Sequence, residues 1–109
     1  MNWELVFLPD AVKDLKGLGG NQQILVLKAI KKVQVNPLPT YEGGYGKPLG
    51  NKNGKNLAGF LKIKLRDAGI RVVYKLVRTE TQMLVIVVGA RADDEVYELA
   101  DKRIQKHGL

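Results

Sequence analysis

The 109-residue sequence contains no cysteine, which excludes disulfide staples and thiol catalysis. Its one histidine, His107, stands in a terminal segment expected to fray, and no His, Asp or Glu spacing suits a metal. Neither a histidine-based mechanism nor a resident metal or cofactor is expected. No apolar run approaches the twenty or so residues of a membrane span, and Met1-Asn2-Trp3-Glu4 lacks the basic start of a secretion signal. The expectation is therefore a protein with no membrane attachment and a cytoplasmic location. Acid is scarce in the middle of the chain. From Lys47 to Arg78 the single acid Asp67 stands against Lys47, Lys52, Lys55, Lys62, Lys64, Arg66, Arg71, Lys75 and Arg78.

What is present is ordinary in bulk and unusual in charge. Apolar residues at 45% and charged residues at 27% suit one globular domain spanning residues 1–109, large enough for a single core. A net charge of +7 favours an anionic partner: nucleic acid, an acidic protein or an anionic surface. The sign then inverts in Asp93, Asp94, Glu95, Glu98 and Asp101. A coat kept charged for solubility would mix both signs, so this segregation favours a basic binding surface.

Hydrophobic periodicity lays out the elements. Trp3 to Leu8 alternates as an opening strand. Asp10 is expected to start a short helix carrying Val12, Leu15 and Leu18, ended by Gly17, Gly19 and Gly20. Asn21 is expected to cap a second helix to about Val35, with Leu25, Val26, Ala29, Ile30 and Val33 on its buried face and Lys28, Lys31 and Lys32 opposite. The two make a helical hairpin. Residues 36–59, rich in Pro, Gly, Asn and Lys, read as a loop or pair of loops with Tyr41 and Tyr45 exposed. Gly43-Gly44-Tyr45-Gly46-Lys47 lacks the spacing of a phosphate-binding loop, so a mobile basic loop is the expectation. Met83 to Val88 is an apolar run suited to a strand covered on both faces. Asp93 or Asp94 is expected to cap a last helix through about His107, packed down by Val96, Leu99, Ala100 and Ile104. The fold class is α+β: a small, largely antiparallel sheet packed by an N-terminal helical hairpin, with a C-terminal helix.

The chemistry concentrates in FLKIKLRDAGIRVVYK, Phe60 to Lys75. Leu61, Ile63 and Leu65 alternate with Lys62, Lys64 and Arg66, which sends the cations to one face of a strand. Asp67-Ala68-Gly69 supplies the turn. The following strand, Ile70 to Val77, puts Arg71 and Lys75 on one face, so cations from two strands converge. Such like charges repel across strands, a cost that a solvated face or an anion site would relieve.

The order of elements, with LKIKLRDAGIRVVYKL and VVGARADDEVYELADKR, resembles the RelE family of toxin endoribonucleases, within the RelE/ParE superfamily of bacterial toxin–antitoxin systems. The resemblance covers nearly the whole chain. It implies a RelE-like, microbial-RNase-like fold and a toxin that enters the ribosomal A site and cuts messenger RNA. The cut would use the RNA's own 2′-hydroxyl and leave a 2′,3′-cyclic phosphate. Carried over position by position, the family's catalytic set falls on Lys62, Lys64, Arg71, Arg91 and Tyr97. Lys52, Lys55, Arg66 and Lys75 are expected to bind the RNA backbone. Repulsion among neighbouring cations favours a neutral lysine, which makes Lys62 or Lys64 the candidate base. Arg71 and Arg91 would clamp developing charge, and Tyr97 would stack on a base or orient the 2′-hydroxyl. No metal or cofactor is implied. The partners implied are the ribosome and its messenger RNA, and an acidic antitoxin segment that wraps the toxin and either covers the cations or displaces the last helix; outside that complex the toxin is expected to be monomeric. Two rivals stand beside this reading: a ParE-like DNA gyrase poison, and a non-catalytic RNA-binding module using the same face.

Overall fold

The computed structural model describes residues 2–52, 55–90 and 92–109, with the side chains of Asn51 and Lys52 outside the description. The elements run β1 (Glu4–Phe7), α1 (Pro9–Lys16), α2 (Gly20–Gln34), β2 (Lys47–Lys52), β3 (Lys55–Leu65), β4 (Ile70–Val77), β5 (Gln82–Gly89) and α3 (Asp93–His107), with short 3-10 turns at Thr40–Glu42 and Arg78–Glu80. The strands form one sheet in the order β1-β5-β4-β3-β2. Among the described strands only β1, beside β5, is parallel to its neighbour. This is the α+β class expected.

Strand β5 is the spine. Met83 through Val88 are all buried, as an unbroken apolar run requires when both sheet faces are covered. Each such side chain contributes about 1.5–3 kcal/mol by leaving water. The β3–β4 hairpin turns where expected, Gly69 taking φ +65 and its N–H donating to the Arg66 carbonyl at 3.2 Å.

Residues 36–59 are the main correction. Lys47–Lys52 is an edge strand, and β3 begins at Lys55, well before Phe60. Leu49 and Leu57 are buried anchors within a polar, glycine-rich composition, and a register shift between Pro48 and Gly50 interrupts the alternation that would have revealed the strand. The glycines serve packing. A Cβ on Gly44 would meet the Leu38 carbonyl oxygen at 2.0 Å, and one on Gly46 would meet the Tyr74 hydroxyl at 2.3 Å. That hydroxyl donates to the Pro37 carbonyl at 2.8 Å, and burial pushes its pKa up. Tyr41 and Tyr45 are exposed, as expected.

The helix starts also differ from expectation. Pro9, whose ring presets a helical φ, occupies the first position of α1, so Asp10 lies inside the helix. Helix α2 is capped by Gly19 rather than Asn21, the Gly19 N–H donating to Gln22 Oε1 at 3.3 Å. Helix α3 follows Ala92, and Asp93 is its first residue. On α2 only Val26, Ile30 and Val33 are buried, while Leu25 is 48% exposed. A helix laid across one side of a sheet meets it along a single stripe, narrower than the apolar face suggested.

Candidate active site

Antiparallel pairing sets the site. Lys64 stands directly opposite Arg71, and Lys62 opposite Val73 on one side and Lys47 on the other. Opposed residues share a face, so Lys47, Lys62, Lys64 and Arg71 point to the same side of the sheet. The other face, which carries Leu61 and its partner Tyr74, reaches Pro37 just beyond α2. Helix α3 lies over the cationic face. Its Tyr97 hydroxyl is 3.4 Å from Lys62 Nζ, which also sits 5.9 Å from the ring centroid. Its Asp93 carboxylate accepts from Arg71 Nε and stands 3.6 Å from Lys64 Nζ. Arg71 donates in addition to the Gly69 carbonyl at 3.2 Å.

The structure therefore brings together Lys62, Lys64, Arg71 and Tyr97. Arg91 lies outside the described residues, as does the Lys52 side chain. Lys55 is beside the cluster, 4.0 Å from Asp101, and with Asp94, Tyr97 and Glu98 lines a shallow recess. Lys75 is not part of the cluster. It pairs with Phe60 at the far end of the hairpin and lies 5.7 Å from that ring. Four residues of strand separate it from Arg71, roughly 13 Å. Arg66 is exposed at the hairpin turn. Tyr97 is only 4% exposed, so its hydroxyl, not its ring face, is what the site can use.

Asp93 is the participant that sequence reasoning missed. Its signal was the acidic run before Tyr97, which reads more simply as a helix start. Burial works against ionisation of this carboxyl, but the hydrogen bond and charge of Arg71, with the charges of Lys64 and Lys62, outweigh it and hold the pKa below the ordinary 3.8. Lys64 and Arg71, both half-buried, thus offer two converging donors to the oxyanion of Asp93, with the charge of Lys62 nearby. A phosphate presents the same acceptors with at least the same charge.

A second charged cluster ties the opposite end of α3 to α1. Arg103 donates to both Asp14 oxygens, at 2.6 and 3.0 Å, and to the Ile86 carbonyl at 2.9 Å. Asp14 also accepts from the Val88 N–H at 3.0 Å. Asp10 gathers Lys106 at 3.4 Å and His107 at 3.2 Å, so the histidine expected to be idle helps to hold the helix end. Some burial opposes charge on Asp10, but hydrogen bonds from His107 and Lys106, and the charges of Lys106 and Arg103, lower its pKa below 3.8.

No family model matches the chain. Individual proteins do. It is 35% identical over 104 residues to the mRNA interferase toxin RelE of Escherichia coli K12, covering 95% of this chain and 99% of that protein. The structure of a double arginine-to-alanine variant of E. coli toxin RelE in the free state aligns with a TM-score of 0.75 at 30% identity, covering 95% of this chain and 99% of that one. The same variant in complex with an antitoxin RelB peptide aligns at 0.69 with 28% identity, over 92% and 95% of the two chains.

Proposed function

Because this chain belongs to the RelE family, we propose that it is the toxin of a type II toxin–antitoxin system, a ribosome-dependent endoribonuclease that cleaves messenger RNA in the A site. The observation that carries the reading is the pairing of Lys64 with Arg71 across β3 and β4, with Lys62 and Tyr97 beside them. In the reaction, the RNA 2′-hydroxyl attacks its neighbouring phosphorus. The O2′–P bond forms, the P–O5′ bond breaks, and the products are a 2′,3′-cyclic phosphate and a 5′-hydroxyl. Negative charge grows on the five-coordinate phosphorus, and fixed cations stabilise that state more than the substrate. Arg71 supplies one such charge and Arg91, by its position in the family's set, the other. Lys62 or Lys64 takes the 2′ proton, and Arg91 donates to the leaving 5′-oxygen. Tyr97 orients Lys62 and, through it, the 2′-hydroxyl. DNA lacks the nucleophile and would not be cut.

Lys55 lies beside these residues and contacts the backbone of the same strand, with Lys52, Arg66 and Lys75 extending the basic track. No described helix is long and apolar enough to cross a membrane. The substrate places the protein in the cytoplasm, and an acidic antitoxin segment over the basic face holds it inactive. The test is expression of wild type and a Lys64→Ala/Arg71→Ala/Arg91→Ala variant in growing bacteria, with messenger ends mapped. Translation-dependent cuts at fixed positions within codons, seen only with wild type, are expected. Growth arrest with uncut messenger would contradict the proposal and move the target to gyrase.

A further inference from the structure

The first acid of α3 does not cap its own helix by a hydrogen bond. The residue at the N-cap is Ala92, with no side-chain cap, and the carboxylate of the next residue, Asp93, is turned onto β3 and β4. There it meets Arg71 through Nε and Lys64 through Nζ, one from each strand of the hairpin. Nothing in the packing of α3 demands this: the buried residues of the helix are Val96, Tyr97 and Ala100, and the Asp93 side chain is 38% exposed. A carboxylate and a phosphodiester share a negative charge and two acceptor oxygens, so a basic pair that holds one holds the other at the same donors.

We propose that Asp93 is a built-in competitor of the RNA backbone: it occupies the anion position formed by Lys64 and Arg71 in the free protein, and gives it up when a phosphate arrives. The inference rests on the function proposed above for its substrate, and on geometry alone for the competition. A partly exposed side chain changes rotamer without unfolding anything, so the exchange needs no movement of the sheet. Its consequence is a toxin that binds stray RNA weakly. Only a phosphate presented at high local concentration, as on a substrate already held by other contacts, displaces the tethered carboxylate. Asp93 thereby sets how strongly the enzyme depends on a carrier for its substrate.

The test uses the intact toxin purified away from its antitoxin, and a single-stranded RNA of about ten nucleotides carrying 2′-O-methyl groups, which binds but cannot be cut. Anisotropy is read across a series of salt concentrations. Asp93→Asn is expected to tighten binding about two- to fivefold, the range of a partly exposed ion pair. It should also steepen the salt dependence by about 0.7 in log–log slope, the value of one more cation available to a phosphate. Asp93→Ser, which suits a helix start equally well, should behave alike. The same substitution on a Lys64→Ala/Arg71→Ala background should gain nothing. Glu95→Gln, an equal change of net charge one turn position away, should gain much less. Unchanged or weaker binding by Asp93→Asn and Asp93→Ser would overturn the inference, as would an equal gain from Glu95→Gln or in the cation-less background. Messenger cleavage on translating ribosomes is measured in parallel. If wild type cuts nothing there while the gain persists, the function falls and the competition stands. If wild type cuts but the gain is absent, the reverse holds.

Discussion

Helix α3 is held at both ends by charge, and the two ends differ in how far the charged groups are open to solvent. At its C-terminal end, Arg103 is 11% exposed and satisfied by Asp14 and a β5 carbonyl, while Asp14 also takes a β5 N–H. That cluster links α1, α3 and β5. At the N-terminal end one carboxylate serves Arg71 and Lys64, with Lys62 turned to Tyr97. Accessibility separates the two ends: the side chains of Lys64 and Asp93 are 29% and 38% exposed, those of Arg103 and Asp14 11% and 17%. A secluded ion-pair cluster holds a fold together, whereas a basic cluster open to solvent can exchange its carboxylate for another anion.

Substitutions at the two ends should therefore fail in different assays. The largest effect is expected from Asp14→Ala, which leaves Arg103 and the Val88 N–H without their acceptor: a loss of about 3–5 kcal/mol in urea unfolding. Activity per folded molecule should be unchanged; a specific loss of cleavage would break the distinction. Next, Arg71→Ala should lower cleavage about 10²–10³-fold with little change in unfolding midpoint. Equal losses in both assays would show that Arg71 belongs to the fold. Tyr97→Phe removes one weak hydrogen bond to Lys62, and should reduce cleavage about tenfold while leaving binding of uncuttable RNA intact. The smallest effect concerns acid. Asp10 has a folded pKa below its unfolded one, so its contribution is present above the unfolded value and lost as pH falls through the folded one. Wild type should lose slightly more stability than Asp10→Asn below about pH 4; parallel curves would show that the tie at that end carries no weight.

Much of this was legible in the sequence because local pattern and tertiary demand agree. The period-two alternation of Leu61 to Arg66 and the β-branched run from Ile70 need only one buried face to become β3 and β4, and Met83–Val88 needs two to become β5. Strand β2 was not legible. Its buried anchor Leu49, like Leu57 on the early part of β3 beside it, is isolated among glycine, asparagine and lysine, and the pairing of the two strands shifts register at Pro48–Gly50. Helix caps misled for another reason: Asp10 and Asp93 have the right residue type beside a helix start, but basic residues distant in sequence claim their carboxylates, Lys106 and His107 for Asp10 and Arg71 and Lys64 for Asp93. The segregation of basic and acidic stretches was likewise read as a surface left open for a partner. In three dimensions the acidic helix lies against the basic strands, through Asp101 with Lys55 and Asp93 with Lys64 and Arg71. Only the fold shows which basic and acidic residues meet.

The central claim is that the basic cluster on β3 and β4 is where RNA is cut. Its most direct test is a defined messenger translated by purified ribosomes, with wild type or the Lys64→Ala/Arg71→Ala variant added at equal ribosome occupancy and the new RNA ends identified chemically. Cleavage within the A-site codon, leaving a 2′,3′-cyclic phosphate with wild type and reduced at least about a hundredfold with the variant, is the predicted result. Intact messenger with wild type bound and folded, or undiminished cleavage by the variant, would contradict it.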